Sequence, residues 1–306
     1  MQWGHIKTLF ILSFLILNIY LISAFIDRQQ DVGYLDNQEL PIEDQLASEN
    51  ITYENIDENV SQLPYISVIQ HELSEDELEE LENVEGQTTE VFNNNLVVSE
   101  LETAVQISPD MTPEALEAAV QPLVLYGEDY SFWEWNEELN VLVFFQEKEG
   151  RTIYYNENGL LLVFLNKDNE MTHYAQTILG ESEVQGDLVQ LNQPPQVIGQ
   201  LFNANYFNRG DEVTDAKVGY YSRIAADGVQ VFAPTWKIEV NEERNHFVNA
   251  IEGIIYDNDP EEMLLNFISE HLLLRINALE EDNGLRETLL PILERRLELE
   301  NRSETE

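Results

Sequence analysis

The chain has 306 residues, 43% of them hydrophobic, and 59 acidic side chains stand against 15 basic ones, for a formal net charge of −44. That composition can build a sizeable core, so the chain is not disordered overall; its charge repels phosphate backbones and excludes nucleic acid as a partner. The absence of cysteine excludes disulfides, thiolate catalysis and zinc–thiolate sites together.

Residues 1–7 form a short stub whose only Lys or Arg is Lys7. Thr8 to Ile26 follows with no charge, Pro or Gly. At about 1.5 Å per residue this stretch spans about 28 Å, close to a hydrocarbon core of about 30 Å. It predicts a transmembrane helix over 8–26. A cleaved signal peptide is the alternative, opposed by the long apolar run, the single Lys and the poor cleavage site at Ser23-Ala24-Phe25. Flanking charges nearly tie; the short stub favours a cytoplasmic N-terminus and an extracytoplasmic domain. Lys7, Ile11, Phe14, Asn18, Leu21 and Phe25 alternate steps of four and three, one helical stripe. Asn18 is a strong hydrogen-bonding group deep in the span. The stripe reads either as a helix–helix contact face or as an isolated amide satisfied by backbone or water.

The stub and span together carry a resemblance. Trp3, Lys7 and Thr8, ahead of Phe10, Ile11, Phe14, Leu15, Ile16, Leu17 and Asn18, resemble the opening of the YycI (WalI) family. Its members are membrane-anchored regulators of the WalK/WalR (YycG/YycF) two-component system of low-GC Gram-positive bacteria. The resemblance implies a YycH-like partner, a WalK-like sensor histidine kinase and a role in cell-wall metabolism. It continues more loosely through an ectodomain ending near Tyr256.

Residues 27–50, polar and acidic with Gly33 and Pro41, read as a juxtamembrane linker, and 51–56 as a short strand. Ser74-Glu-Asp-Glu77 is a capping-box pattern opening a helix to about Glu82. Val91 to Leu101 reads as a hairpin around Asn93-Asn94-Asn95. Thr112-Pro113-Glu114 starts a helix with Leu116, Ala119, Val120, Leu123 and Val124 on one face. Strands follow at Tyr130–Trp135, Val141–Gln146, Arg151–Tyr155, Leu160–Leu165 and Met171–Leu179, with Asn158-Gly159 the strongest local hairpin signal.

The order then repeats. Pro194-Pro195 opens a helix carrying Val197, Ile198, Leu201 and Phe202. Strands follow at Val218–Ala225, Val229–Val240 and His246–Tyr256, with turns at Asp227-Gly228 and Asn241–Arg244. Pro234 should break the middle run or lie on an edge. The segment Phe247…Asn249…Gly253 echoes Tyr154…Asn156…Gly159. A helix followed by an antiparallel meander, twice, predicts an α+β ectodomain of two modules, 51–185 and 186–258. The Trp236-Lys-Ile-Glu-Val stretch followed by Asn249…Gly253 is loosely similar to PepSY-type modules.

The tail, 259–306, departs from the resemblance, which implies a chain ending near the last strand. Leu264, Phe267, Ile268, His271, Leu272 and Arg275 form one face of its first helix. Asn283-Gly284 should close that helix, and Leu285–Leu299 should form a second, broken by Pro291. The pair reads either as a hairpin packed on its own domain or as a docking surface for a partner.

No two of the five His have metal-ligand spacing, and His71-Glu72-x-x-Glu75 lacks the second His of a zincin helix. No nucleophile elbow or phosphate loop occurs. Together with the YycI resemblance, which implies the regulatory role, the expectation is a non-enzymatic regulator without cofactor or metal, acting through the transmembrane stripe and the ectodomain. The alternative is an extracytoplasmic PepSY-like binding module for a peptide, protease or wall polymer.

Overall fold

A computed structural model of the chain describes residues 7, 10–15, 17, 18, 20, 41–53, 56, 60–226, 229–257 and 260–303. The chain divides into a small unit, Met1–Thr52 with Asn208–Gly210, and a large one, Tyr53–Phe207 with Asp211–Glu306. In the small unit, residues 7, 10–15, 17, 18 and 20 are helical and exposed. Among the described residues no helix is long and apolar enough to cross a membrane, and 21–26 of the expected span lie outside them. Helix α1, Ile42–Ser48, occupies part of the expected linker. Pro41 precedes it and Glu43 and Asp44 fall in its first turn, where negative charge suits the helix dipole.

The large unit is mixed α+β, with a mainly antiparallel sheet system and several helices. After the two-residue strand β1 (Thr52–Tyr53) its strands are β2 (Gln62–Gln70), β3 (Gln87–Phe92), β4 (Leu96–Gln106), β5 (Tyr130–Asn136), β6 (Val141–Lys148), β7 (Arg151–Tyr154) and β8 (Leu160–Leu165). Then come β9 (Glu170–Thr177), β10 (Leu179–Gln190), β11 (Glu212–Ala226), β12 (Val229–Val240), β13 (Arg244–Asn249) and β14 (Ile255–Tyr256). The helices are α2 (Glu75–Glu82), α3 (Pro113–Val120), α4 (Pro194–Asn203), α5 and α6 (Gly284–Ser303). Helix α5 runs through Pro260–Asn266, a π-helical segment Phe267–Leu273, and Leu274–Asn277.

The first sheet runs β3-β4-β9-β8-β6, with β5 on the outer side of β6. Its central strands are apolar throughout because both faces are covered. Val141, Val143, Phe145, Leu160, Leu162 and Phe164 pack against α5 and α6. Their neighbours Leu142, Phe144, Leu161 and Val163 pack with Leu81, Leu116 and Val120 of α2 and α3. The two-residue period of a strand sorts alternate side chains into the two layers.

The second sheet runs β10-β2-β12-β11-β7, with β13 also on β12. It therefore takes β2 from before the first sheet and the remainder mostly from after it. The β6–β7 hairpin crosses between sheets, through Glu147↔Thr152 and Lys148↔Arg151. Strand β7 then lies parallel to β11, at Tyr220↔Ile153 and Tyr221↔Tyr154. The expected boundary at 185/186 falls inside β10, and neither β2 nor β10 was expected.

Local signals held at several sites. Ser74 and Glu77 form a capping box, Thr112 caps α3, and Asn93 and Asn94 take positive φ in the β3–β4 turn. The residues 227 and 228 of another expected turn lie outside the described ones, though β11 and β12 pair up to Ala226↔Val229. Pro234 lies inside β12, paired to Tyr220. Its carbonyl accepts from the Ala250 N–H, so its missing N–H points away from β11. There β2 has ended at Phe232 and β13 begins at Thr235. Pro234 thus occupies a local edge and forfeits no bond to β11.

Three expectations are corrected. Asn158-Gly159 makes no hairpin: Glu157–Gly159 is a 3-10 turn, and β7 and β8 part there to different sheets. Gly159 is needed for space, since a Cβ would lie 2.7 Å from Leu179 Cδ1. Asn283-Gly284 opens α6 rather than closing α5, with Asn283 Oδ1 accepting from Arg286 N at 3.2 Å. Helix α6 also continues through Pro291.

Candidate functional site: an acidic cleft in the large unit

A cleft of about 810 Å³ on the large unit is bounded by α3, β5, the β6–β7 turn, β11 and β12. Its lining carries eight carboxyl groups (Glu114, Glu117, Glu134, Glu147, Asp215, Glu239, Glu242 and Glu243) against three cations, Arg151, Lys217 and Lys237. On one wall, β5 pairs only with β6 among the described residues, and a bulge between Phe132 and Glu134 inserts Trp133. Glu117 of α3 covers part of that edge, accepting from Phe132 N at 2.8 Å. Burial pushes the Glu134 carboxyl up from its ordinary value.

The floor is aromatic. Trp133 meets Phe145, Tyr154, Tyr155 and Phe247 with ring centroids 5.4–6.1 Å apart, a spacing typical of favourable edge and tilted contacts. Phe247 belongs to the second sheet, so the cluster ties the sheets together beneath the cleft. Lys237 is nearly buried; its ammonium lies 2.8 Å from Glu239 and 3.8 Å from Asp215, and 5.5 Å from the Trp133 ring centroid. Arg151 Nη1 donates to Val218 O at 3.2 Å. With Lys217 Nζ 3.2 Å from Asp215, all three cations are engaged and a carboxylate excess is left, an arrangement that attracts a basic segment.

The sequence did not single out Trp133, Asp215 or Lys237. The available signal was a lysine set between Trp236 and Ile238 within an otherwise buried strand, where a charge needs a partner. The expected site residues lie elsewhere. Lys7, Ile11, Phe14 and Asn18 are exposed helical residues of the small unit; Leu21 and Phe25 lie outside the described residues. Of the two readings of the tail stripe, the packed hairpin is the one observed: Leu264, Phe267, Ile268 and Leu272 are at most 1% exposed and pack on the first sheet. His271, part-exposed, lies 3.2 Å from Glu157, and Arg275 turns back to bond the His271 carbonyl at 2.7 Å. His71 pairs with Glu77 at 2.7 Å. Burial opposes ionisation of Glu77, but hydrogen bonds from Ser74, Tyr126 and His71 outweigh it and hold the carboxyl down at about 2. Among the described residues no group of three or more His, Asp or Glu has a metal-holding arrangement.

These features define a class: an α+β domain of two linked sheets presenting a strongly acidic cleft. The family profile described as YycI protein matches residues 29–251. The chain belongs to the YycI family, a family of regulatory proteins. The match stops at 251, so the α5–α6 tail lies beyond it. No curated protein sequence matches the chain. Among solved structures, an uncharacterized protein from Eubacterium rectale ATCC 33656 is 11% identical, with 69% of this chain and 91% of that one covered and a TM-score of 0.42. The Bacillus megaterium YpeB C-terminal domain is also 11% identical, with 61% and 97% covered and a TM-score of 0.34.

Proposed function

We propose that this chain is a membrane-anchored accessory regulator of a WalK/YycG-like sensor histidine kinase that controls cell-wall metabolism, acting with a YycH-like partner. The family match over 29–251 carries the reading. The apolar run 8–26 supplies the anchor, with a cytoplasmic N-terminus and the α+β unit outside the cell. A helix packed beside the kinase's helices biases them only by binding one of two states better. An interhelical hydrogen bond averages about 0.6 kcal/mol, enough for about a threefold bias. Asn18 therefore acts together with packing from Ile11, Phe14, Leu21 and Phe25. The test is co-purification of the kinase from membranes: Asn18→Leu combined with Phe14→Ala should reduce recovery sharply, and unchanged recovery would overturn the stripe.

The acidic cleft favours a second reading, an extracytoplasmic module binding a peptide, protease or wall polymer without any kinase. Cross-linking in membranes separates the two: a kinase among the products supports the first, and its absence with a basic extracytoplasmic partner present supports the second.

A further inference from the structure

Strand β10 ends the second sheet: it pairs with β2 and, among the described residues, with no other strand. Every residue from Glu183 to Leu188 is exposed. The strand carries no Lys, Arg or Pro, the residues that commonly blunt an open edge. On the first sheet, by contrast, Glu117 caps the β5 edge at Phe132 N. Register shifts bracket the run Ser182–Gln185, which pairs evenly with Val68–Tyr65. Bulges bend an edge away on either side, so an added strand can pair here over only about four or five residues. The edge is a short dock and not a template for a growing sheet.

Two cross-strand rows end at this dock. Phe232 opposes Ile66, and Ile66 opposes Val184. The first two are fully buried, whereas Val184 is 58% exposed. The core face of the second sheet thus runs out to an uncovered apolar side chain. On the other face, Val231 opposes Ser67, and Ser67 opposes Glu183. Glu149, which accepts from Ser182 Oγ at 2.6 Å, adds to the negative charge with Glu181 and Asp187, while Lys148 acts on Glu181. An incoming strand sets one residue beside Val184 and the next beside Glu183, so it needs an apolar side chain and then a basic one. A second copy of this chain is a poor occupant, because pairing β10 with itself brings Glu181, Glu183 and Asp187 towards the same acids. Strand β10 does not line the acidic cleft, so this is a separate surface. We propose that the β10 edge takes up a short extended segment of another protein in which basic and apolar side chains alternate.

The probe is a short fluorescein-labelled peptide of alternating lysine and valine, titrated by fluorescence polarisation with the full chain in nanodiscs of zwitterionic lipid at physiological salt. Saturable binding is expected, and it should be lost when alternate peptide nitrogens are methylated on the pairing edge. A peptide of the same composition with its lysines and valines in two blocks measures unspecific attraction to the acidic surface. Glu183→Gln should weaken binding about threefold, the scale of one cross-strand charge pair. Val184→Lys should abolish it at an unchanged urea midpoint. Binding unchanged in Val184→Lys, or equal binding of the block peptide, would overturn the proposal. Because the chain has no cysteine, Gln185→Cys at the edge and Glu242→Cys in the cleft can each be offered the peptide carrying one cysteine. Disulfide trapping is expected at the edge; trapping in the cleft alone would overturn the edge as the site. Disulfide-linked dimers of Gln185→Cys formed without peptide would overturn the choice of occupant in favour of a second copy.

Discussion

Replacing Ile268 with Ala tests whether the tail belongs to the core. Ile268 is fully buried in the cluster joining α5 and α6 to the first sheet, so the change removes three carbons from a packed site. Large-to-small substitutions of this kind cost about 2–5 kcal/mol, the spread reflecting how far the site collapses. The control is Leu274→Ala on the same helix, 65% exposed in the wild type, which should stay within about 0.5 kcal/mol. Urea unfolding of the full chain, followed by tryptophan fluorescence and far-ultraviolet circular dichroism, gives both numbers. With a slope of about 3 kcal/mol per molar, a loss of about 3 kcal/mol lowers the midpoint by about 1 M at constant slope. Trp133 and Trp135 report on the first sheet and Trp236 on the second. A midpoint for Ile268→Ala equal to that of Leu274→Ala would refute the packing and restore the tail face as a free surface.

Burial, with a smaller contribution from the Arg296 charge, holds His173 down at about 4 against an ordinary 6.5. The unfolded chain takes up that proton near 6.5 and the folded chain only near 4, so stability present above 6.5 is lost as pH falls through that window. The slope reaches about 1.4 kcal/mol per pH unit; comparing urea midpoints of wild type and His173→Gln between pH 7 and pH 4.5 should show a flatter dependence in the variant, and equal slopes would refute the assignment. At the α5–α6 junction, Asn283→Ala should cost about 1 kcal/mol as a lost N-cap. Gly284→Ala should be neutral or stabilising in thermal melts, because a Cβ there meets nothing within 4 Å; destabilisation would return Gly284 to the role of a helix terminator.

The capping box at Ser74, the Thr112-Pro113 start and the apolar runs of β6 and β8 carry their signals within a few residues. The echo between Asn156 and Asn249 also has a structural counterpart: each side chain accepts backbone N–H groups just ahead of it, from Asn158 in one case and from Ile251 and Glu252 in the other. Strands β2 and β10 escaped because their evidence is distant. They pair with each other from Leu179↔Gln70 to Gln190↔Gln62, and β10 beyond Leu179 is mostly exposed, so it lacks the apolar alternation that marks a strand. Asn158-Gly159 failed for the converse reason: a local turn preference yielded to two strands bound for different sheets. The tail stripe was legible as apolar, but nothing local says that its cover is a sheet more than one hundred residues earlier. The acidic cleft was hidden in the same way, since α3, β5 and β12 meet only in three dimensions.

The threading of the chain has a consequence for the order in which the protein can form. The second sheet needs β2 beside β12, pairing Ile69 with Val229, and the first sheet needs α6, whose Arg296 bonds Leu165. Neither sheet can be completed until its late segments have been synthesised, and the first waits for nearly the last of them. Contacts this far apart in sequence make for slow closure. In the interval an apolar sheet face stands uncovered, a hazard for aggregation. A ribosome stalled or a chain clipped before residue 264 would therefore leave the first sheet exposed on one side. A partner or chaperone that shields that face during synthesis would govern the yield of the protein without touching the finished molecule.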